Sequence, residues 1–209
     1  MGHCVHHFIG GQGDNSNNLA NHMLYDRMGN RKYLTAAERV RFLEAARRQP
    51  VKIETFCLTL AYSGARISEI LSLRCRGIDL SAGIIIVESL KKRRRGVFRQ
   101  VPVPTALLRR LTLTLNWQAS DQEARLWPWC RTTGWKYVKA VMRDAEIPAF
   151  CATPKALRHA FGVVGIADAA VPLNMMQKWL GHSRIETTAI YAEAVGVEER
   201  TIASRMWSA

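Results

Sequence analysis

The alternation of apolar and polar residues along the chain predicts mostly helices. Apolar residues recur at helical spacing over residues 36–48 and again over residues 51–63. Thr35 and Glu38 form a capping-box pattern at the start of the first helix, and Gly64 is suited to end the second. Further helices are predicted over residues 66–71, 105–117, 133–145, 155–169, 172–180, 184–194 and 197–207.

One β-hairpin interrupts this helical pattern. The run from Ile84 to Val87 is β-branched throughout, which predicts a strand over residues 83–87. A partner strand is predicted over residues 97–103, and the basic segment 91–96 would form the turn between the two strands. We therefore expect a mainly α fold with a small antiparallel β-sheet, in the α+β class.

The net charge narrows the classes of function. The chain has 209 residues, a length that favours a single domain, and it carries 30 Lys and Arg against 17 Asp and Glu. The formal net charge of +13 favours a polyanionic partner, with nucleic acid ahead of an anionic membrane surface. No stretch reaches 18 consecutive apolar residues, so no membrane-spanning helix is expected.

The cysteines and the first 31 residues give few signs of a metal site. The five cysteines are odd in number and form no CxxC pair, which argues against a disulfide framework and favours a reduced, cytoplasmic protein. Residues 1–31 are polar and glycine-rich, and predict a flexible arm before one domain over residues 32–209. The arm holds residues of metal-ligating type, but no second cluster completes a site, so we favour a tail without metal. These residues are His3, Cys4, His6 and His7.

Basic residues are concentrated in the predicted hairpin. Six Lys and Arg fall within residues 91–99, and no acidic residue occurs between Ser89 and Ser120. A basic turn is often only a solvated loop, but this density fits a DNA groove or backbone. Besides Lys91, discussed below, the predicted DNA-binding residues are Lys92, Arg93, Arg94, Arg95 and Arg99.

Three further segments carry residues suited to phosphate chemistry. Arg66 follows the helix-ending Gly64, where a guanidinium and free helix amides would suit an anion, and Glu69 is placed to orient it. Lys155 and Arg158 lie one turn apart on a predicted helix. Each feature has an ordinary alternative, such as a surface Arg–Glu pair. The remaining residues of interest are His159, a candidate hydrogen-bond partner, and His182 and Tyr191, which lie nine residues apart.

Taken in order, these residues resemble the catalytic residues of the tyrosine recombinase (phage integrase) family. The resemblance rests on the motifs GARISEIL, KALRHAFG and LGHSRIETTAIY and on a Lys after the first hairpin strand, and it spans about residues 33–205. It implies six catalytic positions, with Tyr191 as the nucleophile and Glu69 and His159 in support. The implied catalytic residues are Arg66, Lys91, Lys155, Arg158, His182 and Tyr191.

The resemblance also implies a mechanism. DNA strands would be cleaved and rejoined through a 3′-phosphotyrosine, without metal, ATP or another cofactor. Lys91 would protonate the leaving oxygen, with Lys92 as a competitor for that role. Many members have His where this chain has Lys155, so Lys155 would be either the proton acceptor or a phosphate clamp.

The same resemblance implies partners and leaves two other functions open. Members assemble as tetramers on double-stranded DNA, and we expect the same of this chain. Without DNA we expect a monomer or weak oligomer. The expected location is the nucleoid, where the DNA lies. Members usually have an N-terminal DNA-clamping domain, and we expect none here, as in the fimbrial phase-variation recombinases, which this chain resembles in architecture. An accessory DNA-binding protein is therefore a further expected partner. The alternatives are a type IB topoisomerase-like nicking-closing enzyme and a catalytically silent DNA-binding protein.

Overall fold

The computed structural model describes residues 24–90, 96–114, 121–192, 203–204 and 206–207. The hairpin turn lies outside these residues, as do the predictions made for Lys91, Lys92, Arg93, Arg94 and Arg95. The same holds for residues 1–23 of the predicted arm and for the histidines and the cysteine within it.

The described chain is mostly helical, with one small antiparallel sheet, and the predicted fold class is confirmed. Two helices, a short helix and a 3₁₀ turn precede the sheet, and the other helices follow it. The helices are α1 (Ala36–Arg47), α2 (Val51–Ser63), α3 (Ile67–Leu71), α4 (Thr105–Thr114), α5 (Arg131–Asp144), α6 (Pro154–Ala167), α7 (Leu173–Leu180) and α8 (Glu186–Ala189). The strands are β1 (Ile78–Asp79), β2 (Ile84–Glu88) and β3 (Phe98–Pro102).

Local sequence signals explain where the first helices begin and end. The Thr35 hydroxyl accepts the Glu38 amide, and the Glu38 carboxylate accepts the Thr35 amide, so the predicted capping box is present. Gly64 ends α2 with a φ of +59°, a conformation that side chains other than glycine rarely adopt. This residue also sets the chain direction that leads into Arg66.

The sheet has the order β1-β2-β3, and its inner face joins the core. Ile85 pairs with Val101 and Val87 pairs with Arg99. Ile85, Val87 and Val101 are fully buried, as expected for side chains that alternate between the two faces of a strand. Arg99 lies two residues from Val101, and the same alternation places it on the buried face.

The core consists of two clusters, and the second one surrounds the candidate nucleophile. The larger cluster packs α1, α2, α5 and the sheet around residues such as Phe56, whose ring meets Trp127 edge to face. The smaller cluster includes Leu24, Met176 and Tyr191. Tyr191 is thus part of a packed interior, with only 2% of its surface exposed.

Residues 24–31, which the sequence assigns to the flexible arm, pack against the domain. Leu24 is buried in the smaller cluster, and Tyr25 pairs with Arg31 in a β-bridge. Arg31 binds Glu38 through two hydrogen bonds of 2.5 and 2.7 Å. Residues 24–31 are therefore tied to the domain, by a leucine buried in the smaller cluster and by the pairing of Arg31 with Glu38 of α1.

The last predicted helices are only partly described. The segment predicted as helix over 184–194 contains the short α8, and Tyr191 lies in a turn beyond its end. Of the segment predicted as helix over 197–207, residues 203–204 and 206–207 are described, and they are helical. Across the described parts of the chain, no helix is both long enough and apolar enough to cross a membrane.

Candidate active site

A cavity of about 550 Å³ collects most of the predicted site residues. Its walls come from the start of α3, from α5 and α6, and from the segment between α7 and Tyr191. The predicted residues that line it are Arg66, Lys155, Arg158, His159, His182 and Tyr191. Residues up to 125 positions apart in sequence thus meet in one place.

Arg66 enters the cavity from the N-terminus of α3, and Glu69 holds it there. The Glu69 carboxylate accepts both the Arg66 backbone amide and its Nη1, each at 2.9 Å. The predicted pairing of these two residues is therefore present. About 30% of the Arg66 side chain remains exposed, so its other N–H groups can reach a ligand in the cavity.

Arg158 is fixed more tightly than Arg66. It lies in α6, whose N-cap residue is Thr153: the Thr153 hydroxyl accepts the Ala156 amide. Its Nη1 donates to the Gly64 carbonyl and its Nη2 to the Leu180 carbonyl, both at 2.8 Å. Burial, and then the nearby Arg66 cation, lower the pKa of Arg158 to about 10, which leaves it charged at neutral pH.

Arg99 does not lie on the DNA-binding surface that the sequence predicts. Only 5% of its side chain is exposed, and its Nη2 is 2.6 Å from Oε2 of Glu69. Its Nε donates to the Trp179 carbonyl at 2.8 Å and its Nη1 to the Ser89 hydroxyl at 3.1 Å. This placement argues against the predicted DNA contact of Arg99, because the pleat of β3 turns the side chain inward, where protein acceptors engage all three of its guanidinium nitrogens.

Glu69 is the anion that connects these arginines. Its side chain is fully buried and binds Arg66 through one oxygen and Arg99 through the other. Burial alone would raise the pKa of Glu69, but the hydrogen bond and charge of Arg99, together with Arg66, hold it below its usual value. One carboxylate among Arg66, Arg99 and Arg158 leaves this cluster net positive, which suits an anionic ligand.

His182 lies beyond the C-terminus of α7 and is neutral at pH 7. Burial, and then the cations of Arg158 and Arg66, lower the pKa of His182 to about 3. Its Nδ1 is 2.9 Å from the hydroxyl of Thr188, a fully buried residue of α8. The ring also stacks on Tyr191, with centroids 6.3 Å apart and an angle of 18° between planes.

The Tyr191 hydroxyl is held by His159. Nδ1 of His159 lies 3.1 Å from it, while Nε2 of His159 is buried without a partner among the described residues. Because an unpaired buried N–H is rarer than an unpaired acceptor, this arrangement favours donation from Nδ1 to the tyrosine oxygen. A Cβ atom at Gly162 would come within 2.6 Å of the Tyr191 ring, so glycine provides the space for it.

The pKa values of this pair exclude His159 as a strong base. Burial, and then Lys155 and Arg158, lower the pKa of His159 to about 3. Burial raises the pKa of Tyr191, although the Arg158 cation opposes that shift. The pKa of Tyr191 is thus far above that of His159, so the proton stays on the tyrosine oxygen and does not move to His159. Lys155, exposed at the cavity one turn before Arg158, is the neighbouring amine.

The structure adds residues that the sequence analysis missed. Trp135 and Arg131 of α5 also line the cavity, and Trp135 is 41% exposed. Thr187 also lines it, whereas Thr188 supports His182 from behind. The adjacent threonines stand in the motif LGHSRIETTAIY, but only the fold tells them apart. Within the described residues, no group of three His, Cys, Asp or Glu is placed to hold a metal ion.

Comparison with known proteins finds relatives over most of the chain. It is 27% identical to tyrosine recombinase XerA of Pyrococcus furiosus over 171 residues, which make up 77% of this chain and 56% of that protein. It is 31% identical to the type 1 fimbriae regulatory protein FimE of Escherichia coli K12 over 175 residues, with 78% of this chain and 86% of FimE covered. The chain thus spans little more than half of the XerA length.

Solved structures show the same fold. A crystal structure of XerA recombinase matches 83% of this chain and 64% of that chain, with a TM-score of 0.70 and 25% identity. XerH recombinase bound to its difH substrate matches 91% of this chain and 62% of that one, with a TM-score of 0.65 and 17% identity. The model of the phage integrase family matches residues 32–195. Because that match covers most of the sequence, the chain belongs to the phage integrase family, that of the tyrosine recombinases.

Proposed function

We propose that the protein is a site-specific DNA recombinase that cleaves and rejoins strands through a 3′-phosphotyrosine at Tyr191. One observation carries this proposal: Tyr191 lines the same cavity as Arg66 and Arg158, whose guanidinium groups are held by fixed protein acceptors. A nucleophile beside preorganised cations is what attack on a phosphodiester requires.

The two arginines would bind the non-bridging oxygens of the scissile phosphate. Arginine stays charged and can donate two parallel hydrogen bonds to a phosphate. Arg158 is already bonded to two carbonyls and Arg66 to one carboxylate, so neither has to reorganise when the charge on the phosphate grows. Loss of one such preorganised donor typically costs about 10² to 10³ in rate.

Cleavage would exchange one ester bond for another. The Tyr191 oxygen attacks phosphorus, a tyrosyl–phosphate bond forms to the 3′ side, and the bond to the 5′-oxygen breaks. Lys91, or Lys92 in its place, protonates that leaving oxygen. The ester energy is conserved in the intermediate, so the 5′-hydroxyl of another strand can reverse the step without metal, ATP or another cofactor.

The Tyr191 proton needs an acceptor other than His159, whose pKa is too low. Lys155 is the candidate within the cavity, provided that it is neutral; otherwise it serves as a further phosphate clamp. The two roles differ in their pH dependence. If Lys155 is the base, Lys155→His shifts the pH at which cleavage reaches half its maximum, whereas a clamp leaves that pH in place and lowers the rate.

Double-stranded DNA is the proposed substrate, bound by a tetramer. XerH was solved on its difH substrate and the Tn1549 integrase on transposon end DNA, and both share this fold. The net charge of +13 supports the same partner. We extend the proposal to the predicted DNA contacts of Lys92, Arg93, Arg94 and Arg95, to an accessory DNA-binding protein and to action at the nucleoid.

A suicide substrate tests this function. DNA nicked next to the cleavage point loses the 5′-hydroxyl fragment, so a covalent protein–DNA adduct accumulates. We expect an adduct with the wild type and with Tyr137→Phe, a control whose hydroxyl lies outside the cavity, in EDTA and without nucleotide. Tyr191→Phe should form none while still binding DNA.

Three results would contradict the proposal. An adduct in Tyr191→Phe would place the nucleophile elsewhere. If the wild type binds nicked DNA sites but forms an adduct with none of them, the alternative of a catalytically silent DNA-binding protein would be favoured. Adduct formation with relaxation of one duplex, but no product from two sites, would make the protein a nicking-closing enzyme.

A further inference from the structure

His182 reaches the cavity with one ring nitrogen already engaged behind it. Nδ1 lies 2.9 Å from Oγ1 of Thr188. Thr188 is fully buried, whereas His182 is half-buried and lines the cavity. Nε2 is therefore the ring nitrogen that a ligand in the cavity can reach.

The protonation state of His182 makes the choice of tautomer important. Burial, and then the cations around it, lower the pKa of His182 to about 3 and keep the imidazole neutral. A neutral imidazole has one N–H and one lone pair, so only one nitrogen can donate. If Nδ1 carried the proton, Nε2 would direct a lone pair at phosphate oxygens, which are acceptors themselves.

Thr188 favours the other tautomer. Its hydroxyl hydrogen is buried and needs an acceptor, and within the described residues the side-chain bond of Oγ1 is the one to Nδ1 of His182. Donation from the hydroxyl to Nδ1 satisfies both atoms, whereas donation from Nδ1 would leave the hydroxyl hydrogen without a described acceptor.

We propose that Thr188 donates its hydroxyl hydrogen to Nδ1 of His182 and thereby fixes the tautomer in which Nε2–H donates to the scissile phosphate. Thr188 does not line the cavity, so it is a positioning residue that acts through His182. Its neighbour Thr187 lines the cavity directly, and the roles of the two threonines therefore differ.

The tautomer can be measured without DNA. Nitrogen-15 NMR of protein labelled at histidine shows which ring nitrogen carries the proton, and comparison with His182→Ala assigns the signal. We expect Nε2–H in the wild type and in Thr188→Ser, and a mixture or the Nδ1–H form in Thr188→Val. A proton on Nδ1 in the wild type overturns the proposal, even if the valine variant fails to fold.

The consequence for cleavage rests on the proposed function. With the nicked substrate, Thr188→Val should slow adduct formation by about 10- to 100-fold, less than the loss of a whole donor, while DNA affinity changes less than about twofold. Thr188→Ser should restore at least a third of the wild-type rate. In a His182→Ala background, Thr188→Val should have almost no further effect, because its action passes through His182.

The two readouts separate the failure of this proposal from the failure of the recombinase assignment. If the Nε2–H tautomer depends on Thr188 but the protein forms no adduct, only the recombinase assignment is contradicted. A normal adduct rate in a folded Thr188→Val variant, or full additivity with His182→Ala, would overturn the role of Thr188 and leave the assignment intact.

Discussion

Two glutamates of this protein each join two arginines, in opposite surroundings. Glu123 pairs with Arg74 and Arg76 on the surface, where roughly half of each side chain is exposed. Glu69 pairs with Arg66 and Arg99, and its side chain is fully buried. Exposed pairs contribute little to stability because water and salt screen them, whereas a buried charge cannot lose its partner without a large penalty.

This difference shows what the buried glutamate does for the cavity. Glu69 gives one oxygen to the buried Arg99 and the other to the partly exposed Arg66. Arg99 in turn binds the Trp179 carbonyl, close to the chain turn that leads into His182. Glu69 therefore holds Arg66, the cation that lines the cavity, from the protein side. Arg99, which is buried, holds Glu69 in turn.

The largest effect should follow from removing the charge of Glu69. Glu69→Gln leaves Arg99 buried without its anion, and we expect the free energy of unfolding to fall by about 3–5 kcal/mol. The matched Glu123→Gln should change it by less than about 1 kcal/mol. Urea denaturation measures both, and equal losses for the two variants would remove the basis of the comparison.

Changing the shape of the Arg99 donor should have a smaller effect. Arg99→Lys keeps the charge but cannot reach Glu69, Trp179 and Ser89 together, so we expect a loss of about 2–3 kcal/mol. Arg76→Lys, in the exposed pair, serves as the control and should stay within about 0.5 kcal/mol. An Arg99→Lys variant of unchanged stability but weaker DNA binding would restore Arg99 to the DNA surface.

The buried histidines predict a pH dependence below neutrality. His159 and His182 have pKa values of about 3 in the folded protein, against about 6.5 in an unfolded chain. Between these values the unfolded state binds protons that the folded state does not, so stability falls as the pH drops from about 6.5. Glu69 contributes in the same direction only at lower pH, because its pKa lies below the usual value.

The size of that effect can be checked with one variant. Each histidine contributes at most about 1.4 kcal/mol per pH unit. His159→Leu should therefore reduce the slope of unfolding free energy between pH 6 and pH 5 by about one proton. An unchanged slope would mean that His159 is protonated in the folded protein.

The tip of the hairpin should show the smallest effect on stability. Replacing Arg93, Arg94 and Arg95 together by alanine should shift the unfolding free energy by less than about 1 kcal/mol. The same variant should reduce the salt dependence of DNA binding by about two or three phosphate contacts. If the unfolding free energy falls by as much as in Arg99→Lys, these three arginines also stabilise the fold. The contrast between them and the buried Arg99 would then disappear.

The sequence predicts local features of this fold better than long-range ones. The capping box at Thr35 and the glycine end of α2 are encoded within a few residues, and both are present. The predicted cavity residues in the described chain also meet, and they could be predicted because their order along the chain follows a known family pattern. Tyr191 itself lies past the end of α8, not inside the longer helix that the spacing predicts.

Arg99 shows what the sequence analysis missed and why. It ends a basic run, so its charge alone points to DNA, yet it shares the inner face of β3 with Val101. Strand alternation was an available signal for its burial. Its acceptors, at Glu69 and Trp179, lie 30 and 80 residues away in sequence. No local pattern identifies partners at that separation.

The chemical identity of the protein–DNA bond tests the central claim most directly. The adduct from the nicked substrate is digested with protease and nuclease, and the modified peptide is identified by mass spectrometry. The account predicts a nucleotide joined through its 3′-phosphate to the oxygen of Tyr191, and a free 5′-hydroxyl on the released fragment. A nucleotide on any other residue, or one joined through a 5′-phosphate, would contradict it.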